Sequence, residues 1–369
     1  MHTTQANRRA WSLGATFRPA TGDPKMFQPI PLTRRTLLAG AAALAASPAR
    51  AELADLEAAA LKEGGLTWYT AQTDGETAEQ IGRAFSARYP GLKVTVVRTT
   101  AQVAYERLGQ EFKNKTLACD VFSSTDPGHD EALKQKGLLA RYVPQNDALL
   151  TETFRTFDKD GYYHTTTAGL VLIAYNTNKV KAEDAPRNWP DLLAPRWNRQ
   201  VAVGHPAFSG FVGTWVLAMR KLYGWKYFEA LEKSRPQIGR SIIDTTTTLT
   251  AGERMVAASS ATSTLHAADQ GNPLAALYPA DGALLIAAAS AIPAAAPHPN
   301  AARLFIEFLQ TEQVAQIAVQ RRAESLRPEV VPLAGAKPFT EIKTFQLTVA
   351  ETLKGIPEVI EQWRDTFGS

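Results

Sequence analysis

Leu66-Thr67-Trp68-Tyr69-Thr70, a helical pattern from about Thr77 to Tyr89, and Lys93-Val94-Thr95-Val96-Val97 follow one another early in the chain. Short apolar runs rich in β-branched and aromatic residues read as strands, and the helix-period spacing between them reads as an amphipathic helix. A second helix near 102–113 and a third strand, Asp120-Val121-Phe122-Ser123, repeat the rhythm. Alternation of this kind predicts an α/β fold built on a parallel sheet. Ligands of such sheets sit beyond the carboxyl ends of the strands, where helix N-termini offer free N–H groups. The loops to inspect first are therefore 71–75 and 123–129.

A longer strand, Gly169-Leu170-Val171-Leu172-Ile173-Ala174-Tyr175-Asn176, and a later apolar run from Gly282 to Ile292 bracket a second α/β block. The block holds Pro195 to Val203, a helix from about Gly210 to Tyr223, and a polar segment from Thr245 to Thr248. Long strands on both sides of an inserted lobe predict paired crossovers, hence a hinge. The expected division places residues 52–170 with 284–330 in lobe 1 and residues 171–283 with 331–369 in lobe 2. The helical tail after about 331 should pack back on the second lobe.

Ahead of the first strand stand Thr33-Arg34-Arg35-Thr36-Leu37-Leu38, an alanine-rich run to Ala46, and Ala49-Arg50-Ala51. Adjacent arginines, about ten apolar residues and an A-x-A site read as an export signal over 1–51, cleaved near Ala51, for work in the periplasm. The twin arginines with two leucines resemble a Tat signal, with Sec export as the alternative, and Met26 competes with Met1 as the true start. Residues 1–51 carry seven of the 40 Lys and Arg but one of the 36 Asp and Glu, leaving 33 against 35 and a net charge of −2. Without a basic surface or a Lys/Arg run, the electrostatic footprint of a nucleic-acid binder is missing, and attraction to a membrane surface is unsupported. The single cysteine, Cys119, excludes an intramolecular disulfide and, at the entry to a strand, reads as a packed thiol.

Seven motifs in order carry a resemblance: Tyr69-Thr70-Ala71-Gln72, Asp120-Val121-Phe122-Ser123-Ser124, Ala174-Tyr175-Asn176-Thr177, His205-Pro206-Ala207-Phe208-Ser209-Gly210, Ala251-Gly252-Glu253, Tyr278-Pro279-Ala280-Asp281-Gly282-Ala283, and the run from Pro299 to Leu309. The chain resembles the periplasmic solute-binding proteins of ABC importers, in the type II family that includes the ferric-ion-binding proteins. The resemblance implies two α/β lobes joined by two crossover strands, closing on a small solute in a central cleft. It also implies delivery to an inner-membrane permease with its ATPase, by a monomer without a cofactor or covalent chemistry.

Ferric members use adjacent tyrosines after the Gly-Glu motif, because Fe³⁺ is a hard ion suited to phenolate oxygen. Here Gly252-Glu253 leads to Arg254 and on to His266, and no tyrosine occurs between Tyr227 and Tyr278. Thr73 stands at the family's first-loop histidine position. The pair Tyr162-Tyr163 follows a Lys159-Asp160-Gly161 turn and reads as aromatic packing at a strand start. Ferric iron, bare or chelated, therefore stays the alternative to an oxyanion-bearing organic solute, phosphorylated or phosphonate. The Ser209-Gly210 step matches the resembled family's co-anion loop, with free N–H groups and a positive dipole end at a helix start; the plainer reading is a Ser N-cap.

Hydroxyls cluster around that anchor, and hydroxyls donate and accept without imposing charge. The ligand-binding residues expected are Thr73, Ser124, Thr125 and Thr167 from the first lobe and hinge, and Ser209, Gly210, Phe211, Thr246 and Thr247 from the second. Ser209→Ala with Gly210→Ala is expected to weaken an anionic ligand by more than about tenfold, roughly 1.4 kcal/mol, without unfolding the protein. Asp126 and His129 suit either acid/base work or turn and N-cap chemistry, the latter favoured by Asp-Pro-Gly; Asp281-Gly282 reads as a turn. The remaining histidines lack ligand spacing. An exported enzyme and a sensor-linked binding protein are the competing classes. Against the enzyme, G-x-S-x-G fails at Ala207, and H-E-x-x-H, P-loop and G-x-G-x-x-G motifs do not occur.

Overall fold

The computed structural model describes residues 48–369, apart from 156, 335, 336 and 338–340. The expected export signal lies outside the described residues as far as residue 47, and its last four positions open the helix α1 (Pro48–Glu63). The chain continues as β1 (Gly65–Thr70), α2 (Gly75–Arg88), β2 (Lys93–Arg98), α3 (Ala101–Asn114), β3 (Val121–Ser123), α4 (Pro127–Gln135) and the long β4 (Tyr163–Asn176). Then come β5 (Val201–Gly204), α5 (Gly210–Tyr223), α6 (Lys226–Lys233), β6 (Gln237–Gly239), α7 (Ile242–Thr250), β7 (Val256–Ser260), α8 (Ala261–Asp269) and β8 (Leu274–Leu277). The last elements are β9 (Ala283–Ala291), α9 (Pro299–Leu309), α10 (Glu312–Gln320), β10 (Thr344–Phe345) and α11 (Val349–Phe367).

Helix starts have chemical causes. Asp74 accepts the Thr77 N–H at 2.8 Å and caps α2. Asp126 accepts the Gly128 N–H at 2.9 Å and caps α4, with Pro127 at its first position. The polar segment Thr245–Thr248 is helical because Ser241 and Asp244 form a capping box and Ile242 and Leu249 bury one face of α7.

The strands join in one curled sheet, ordered β2-β1-β3-β9-β4-β7-β5-β6, with β8 on β4 and β10 on β9. β1 is parallel to β2 and β3, and β5 is parallel to β6 and β7, while β9 and β4 run antiparallel through the middle. β4 starts at Tyr163, at the strand start read from the Tyr162-Tyr163 pair and six residues before the apolar run opens at Gly169. Its threonine-rich first half has no apolar run, yet it pairs with β9 from Tyr163↔Ala291 to Val171↔Leu284.

Two lobes result, each with an aromatic core. Trp68, Phe85, Phe305 and Phe308 fill one, with Phe85 edge-on to Phe305 at 5.0 Å. Trp189, Trp215, Phe228 and Trp363 fill the other, with Phe228 edge-on to Trp215 at 5.6 Å. The tail helix α11 departs from expectation in one respect. It packs on α5 and α6, but also on α4, where a Cβ at Gly128 would stand 2.9 Å from the Leu353 Cα. The tail therefore touches helices of both halves of the sheet. Cys119 is buried and its thiol pushed up by burial.

Candidate functional site

A cleft of about 470 Å³ opens beyond the carboxyl ends of β1 and β2. One wall is the loop Ala71–Asp74, the start of α2 and Arg98; the floor is Thr166–Gly169 of β4; the facing wall is Ser209, Phe211 and the lining faces of α7 and α8. The pairing of β4 with β9 is irregular between Thr165 and Thr167. A regular strand alternates its faces, so this irregularity lets Thr166 and Thr167 both reach the cleft.

Of the residues singled out from sequence, Thr73, Thr125, Thr167, Ser209, Phe211, Thr246 and Thr247 line the cleft. Ser124 and Gly210 do not. Ser124 is buried beneath the wall, where its Oγ accepts the Asp126 N–H at 3.0 Å and pairs with His129 Nδ1 at 3.0 Å. Gly210 backs onto the chain before α4: a Cβ there would stand 2.6 Å from the Thr125 carbonyl carbon and 2.7 Å from the Asp126 nitrogen. Gly210→Ala therefore acts on stability as well as on this wall, because those atoms are backbone and cannot rotate away. Ser209 starts α5 but makes no side-chain cap bond, so its hydroxyl is not consumed as the plain N-cap reading requires.

Two cleft hydroxyls, those of Thr166 and Thr246, belong to hydrogen-bond chains that run behind the lining. Trp68 Nε1 donates to Ser123 Oγ at 2.7 Å, Ser123 pairs with Ser290 at 2.5 Å, and Ser290 pairs with Thr166 at 2.5 Å. Thr166 Oγ1 also donates to Gln72 Oε1 at 3.0 Å, and Gln72 Nε2 donates to the Ala289 carbonyl at 2.8 Å. On the other wall, Ser259 Oγ gathers Thr245, Thr246 and Thr264 at 2.9, 3.0 and 3.2 Å. These chains rigidify the floor and one wall.

Sequence reasoning missed the charged lining. Asp74, Glu76, Arg98 and Arg321 all border the cleft, with His266 and Gln72. Asp74 is spent on α2, accepting from the Thr77 N–H and hydroxyl, both at 2.8 Å. Glu76 meets Arg321 Nη2 at 2.6 Å, and Arg321 Nη1 lies 3.0 Å from His266 Nε2. Arg98 donates Nε to the Thr73 carbonyl at 3.0 Å and has no ion-pair partner within 4.0 Å among the described residues. Burial lowers its basicity, opposed by the more distant charges of Asp74 and Asp244. The rule that ligands gather at strand carboxyl ends could have found it, since Arg98 ends β2.

The other flagged residues have local duties. His129 stacks on Tyr105 at 4.2 Å, and its Nε2 lies 3.4 Å from Asp126 Oδ2. Burial raises the Asp126 carboxyl and lowers the His129 imidazole, which favours the neutral form of both. Tyr163 donates to Glu131 at 2.8 Å, and Asp281 accepts from the Trp189 N–H at 3.0 Å and the Tyr223 hydroxyl at 2.5 Å. No tyrosine lines the cleft, and among the described residues no group of three or more His, Cys, Asp or Glu could hold a metal ion.

A family model described as bacterial extracellular solute-binding protein matches residues 118–337, more than half of the chain. The chain belongs to that family. Solved structures similar to this solute-binding protein include the periplasmic binding protein AfuA from Actinobacillus pleuropneumoniae, with exogenous fructose-6-phosphate bound, at TM-score 0.74 and 21% identity. Iron-bound HitA from Pseudomonas aeruginosa aligns at TM-score 0.70 and 23% identity. Each match covers 82% of this chain and 99% of the other. A periplasmic thiamin-binding protein aligns at TM-score 0.70 and 21% identity, over 82% of this chain and 96% of its own. Comparison with curated sequences gives no match. These likenesses show the two-lobed periplasmic binding fold, and the family implies a small-molecule ligand handed to an ABC permease outside the cytoplasm. Its members and the solved neighbours are binding proteins.

Proposed function

We propose that this solute-binding protein captures an oxyanion-bearing organic solute, phosphorylated or phosphonate in the first instance, by closure of its lobes. The carrying observation is Arg98: a solvent-accessible guanidinium on the cleft wall, without a carboxylate partner among the described residues. A guanidinium can hold an oxyanion through two parallel N–H bonds, and closure of the lobes would strengthen that pair by excluding water. The Ser209 hydroxyl, not used as a helix cap, lines the same cleft. Ferric iron finds less support, since the cleft offers hydroxyls and committed carboxylates in place of phenolates.

The reading includes export under the twin-arginine signal with cleavage near Ala51, work in the periplasm as a monomer, and hand-over to a permease coupled to an ATPase. It divides the described chain into lobe 1, residues 52–170 with 284–330, and lobe 2, residues 171–283 with 331–369. The contacts proposed are Thr73, Thr125 and Thr167 with Arg98 from the first lobe and hinge, and Ser209, Phe211, Thr246 and Thr247 from the second.

The test is a thermal-shift screen against phosphate esters, phosphonates, sugars, polyamines, amino acids and Fe³⁺ with citrate. A ligand at a hundred times its Kd adds about 2.7 kcal/mol of stability. Oxyanion-bearing solutes should shift the wild type, and Arg98→Gln should weaken them by at least about tenfold. A response to Fe³⁺ alone, with a charge-transfer band, would replace this reading by the ferric one.

A further inference from the structure

We infer that the ligand is an amphipathic organic monoanion, one carboxylate or singly charged phosphonate on an apolar body, and not a polyhydroxylated dianion; this rests on the oxyanion reading of the same cleft. Three observations carry it. The first is charge. The four charged lining side chains sum to zero, Glu76 and Arg321 cancel each other at 2.6 Å, and Asp74 is held by Thr77. One cation, Arg98, remains without an ion-pair partner among the described residues. One negative charge matches it, and a second would meet no further unpaired Lys or Arg of the lining among the described residues, at a desolvation cost.

The second is the lining. Ile81, Phe211, Ile242, Ile243 and Val314 border the cavity, and the Phe211 ring lies over Gly169 of the floor, where a Cβ would stand 3.2 Å from its Cε1 and Cζ. A larger residue at 169 would press the ring back by a few tenths of an ångström, and with glycine there the ring forms a flat apolar surface at the base of the cleft. A volume of about 470 Å³ suits an organic body of drug-like size, far more than an inorganic ion requires.

The third concerns two hydroxyls of the lining. Thr166 and Thr246 face the cleft, but their hydroxyls already bond Gln72, Ser290 and Ser259. A polyol hydroxyl placed against these two would meet occupied partners, and an unmade buried hydrogen bond is penalised. An apolar body asks nothing of them.

The experiment is calorimetric titration of the purified protein with four probes: 4-phenylbutyrate, 4-phenylbutanol, gluconate and glucose 6-phosphate. Phenylbutyrate should bind at least about tenfold tighter than each of the other three, a difference that burial of one phenyl ring readily supplies. Phe211→Leu should cut the preference for phenylbutyrate over gluconate several-fold. That ratio is taken within one variant, so a partly misfolded preparation does not distort it. Gluconate or glucose 6-phosphate binding as tightly as phenylbutyrate would overturn the amphipathic inference and leave the oxyanion reading standing. Phenylbutanol binding as tightly as phenylbutyrate would overturn both, as would no binding of any probe at millimolar concentration.

Discussion

Gly210 and Gly75 occupy the same position, the first residue of a helix, and the structure assigns alanine there opposite effects. Gly75 opens α2 with nothing within 4 Å of a built Cβ. Gly75→Ala should therefore be neutral or stabilising by up to about 1 kcal/mol, the helix-propensity difference. Gly210 opens α5 against the backbone of Thr125 and Asp126, at 2.6 to 2.7 Å from a built Cβ. Overpacking of this kind costs about 1–3 kcal/mol. Less the propensity gain, Gly210→Ala should be up to about 2 kcal/mol less stable than wild type, a fall in Tm of up to roughly 3 °C. Because the collision joins the start of α5 to the loop ahead of α4, relief of the clash must also shift Thr125 and Ser209 at the cleft. Urea denaturation of both variants with and without phenylphosphonate is the assay. If Gly210→Ala proves as stable as Gly75→Ala, the close backbone approach is not a feature of the folded protein, and the account of this wall fails.

Two further outcomes follow from charges. Burial pushes the Glu324 carboxyl from 4.5 up to about 7. In that window the folded state holds a proton that the unfolded state has released, so stability should fall as pH rises from about 4.5 to about 7, by on the order of 1–3 kcal/mol. Glu324→Gln should flatten this slope in urea midpoints measured at pH 5 and 7.5; Asp130, also raised by burial, contributes in the same direction and remains in both proteins. An unchanged slope would discard the role of Glu324. At the rim, Arg322 grips Asp269 of α8 through Nε at 2.6 Å and Nη2 at 2.9 Å, next to the Arg321 contacts with Glu76 and His266. The proposed lobe boundaries put Arg321 and Arg322 on one side of the cleft and α8 on the other, which makes the pair a clasp on closure. Arg322→Ala should speed ligand release about two- to fivefold, the worth of an exposed ion pair, with association little changed in stopped-flow traces. Equal release rates would mean the clasp carries no closure energy.

What could be read from the sequence was whatever a residue declares without its partner. β1, β2, β3 and β9 declare themselves by apolar runs, and α5 was bounded correctly at both ends. The first half of β4 declared only its start, at Tyr162-Tyr163, because His164 to Thr167 has no apolar run and its burial comes from β9 more than a hundred residues later. Glycine chemistry pointed to Gly210, yet the close approach it permits is to Thr125, not to a ligand. Threonine clusters pointed to the cleft, but Thr166 turns its hydroxyl to Gln72 and Ser290, and Thr246 turns its own to Ser259.

Charge shows the same limit most sharply. Asp74, Glu76, Arg98 and Arg321 are alike in sequence, four ordinary charged residues near predicted helices and strands. The fold separates them by pairing: a cap for Asp74, a mutual ion pair for Glu76 and Arg321, and for Arg98 one backbone carbonyl. A charge that is already paired adds little to recognition, whereas one on the cleft wall without a counter-ion favours whichever ligand supplies it. Specificity in this cleft thus depends less on which residues line it than on which of them the fold leaves uncommitted. The strand-end rule that brings Thr73 to the cleft would have brought Arg98 there too, but that Arg98 alone of the four stays without a counter-ion among the described residues follows only from the partners of the other three.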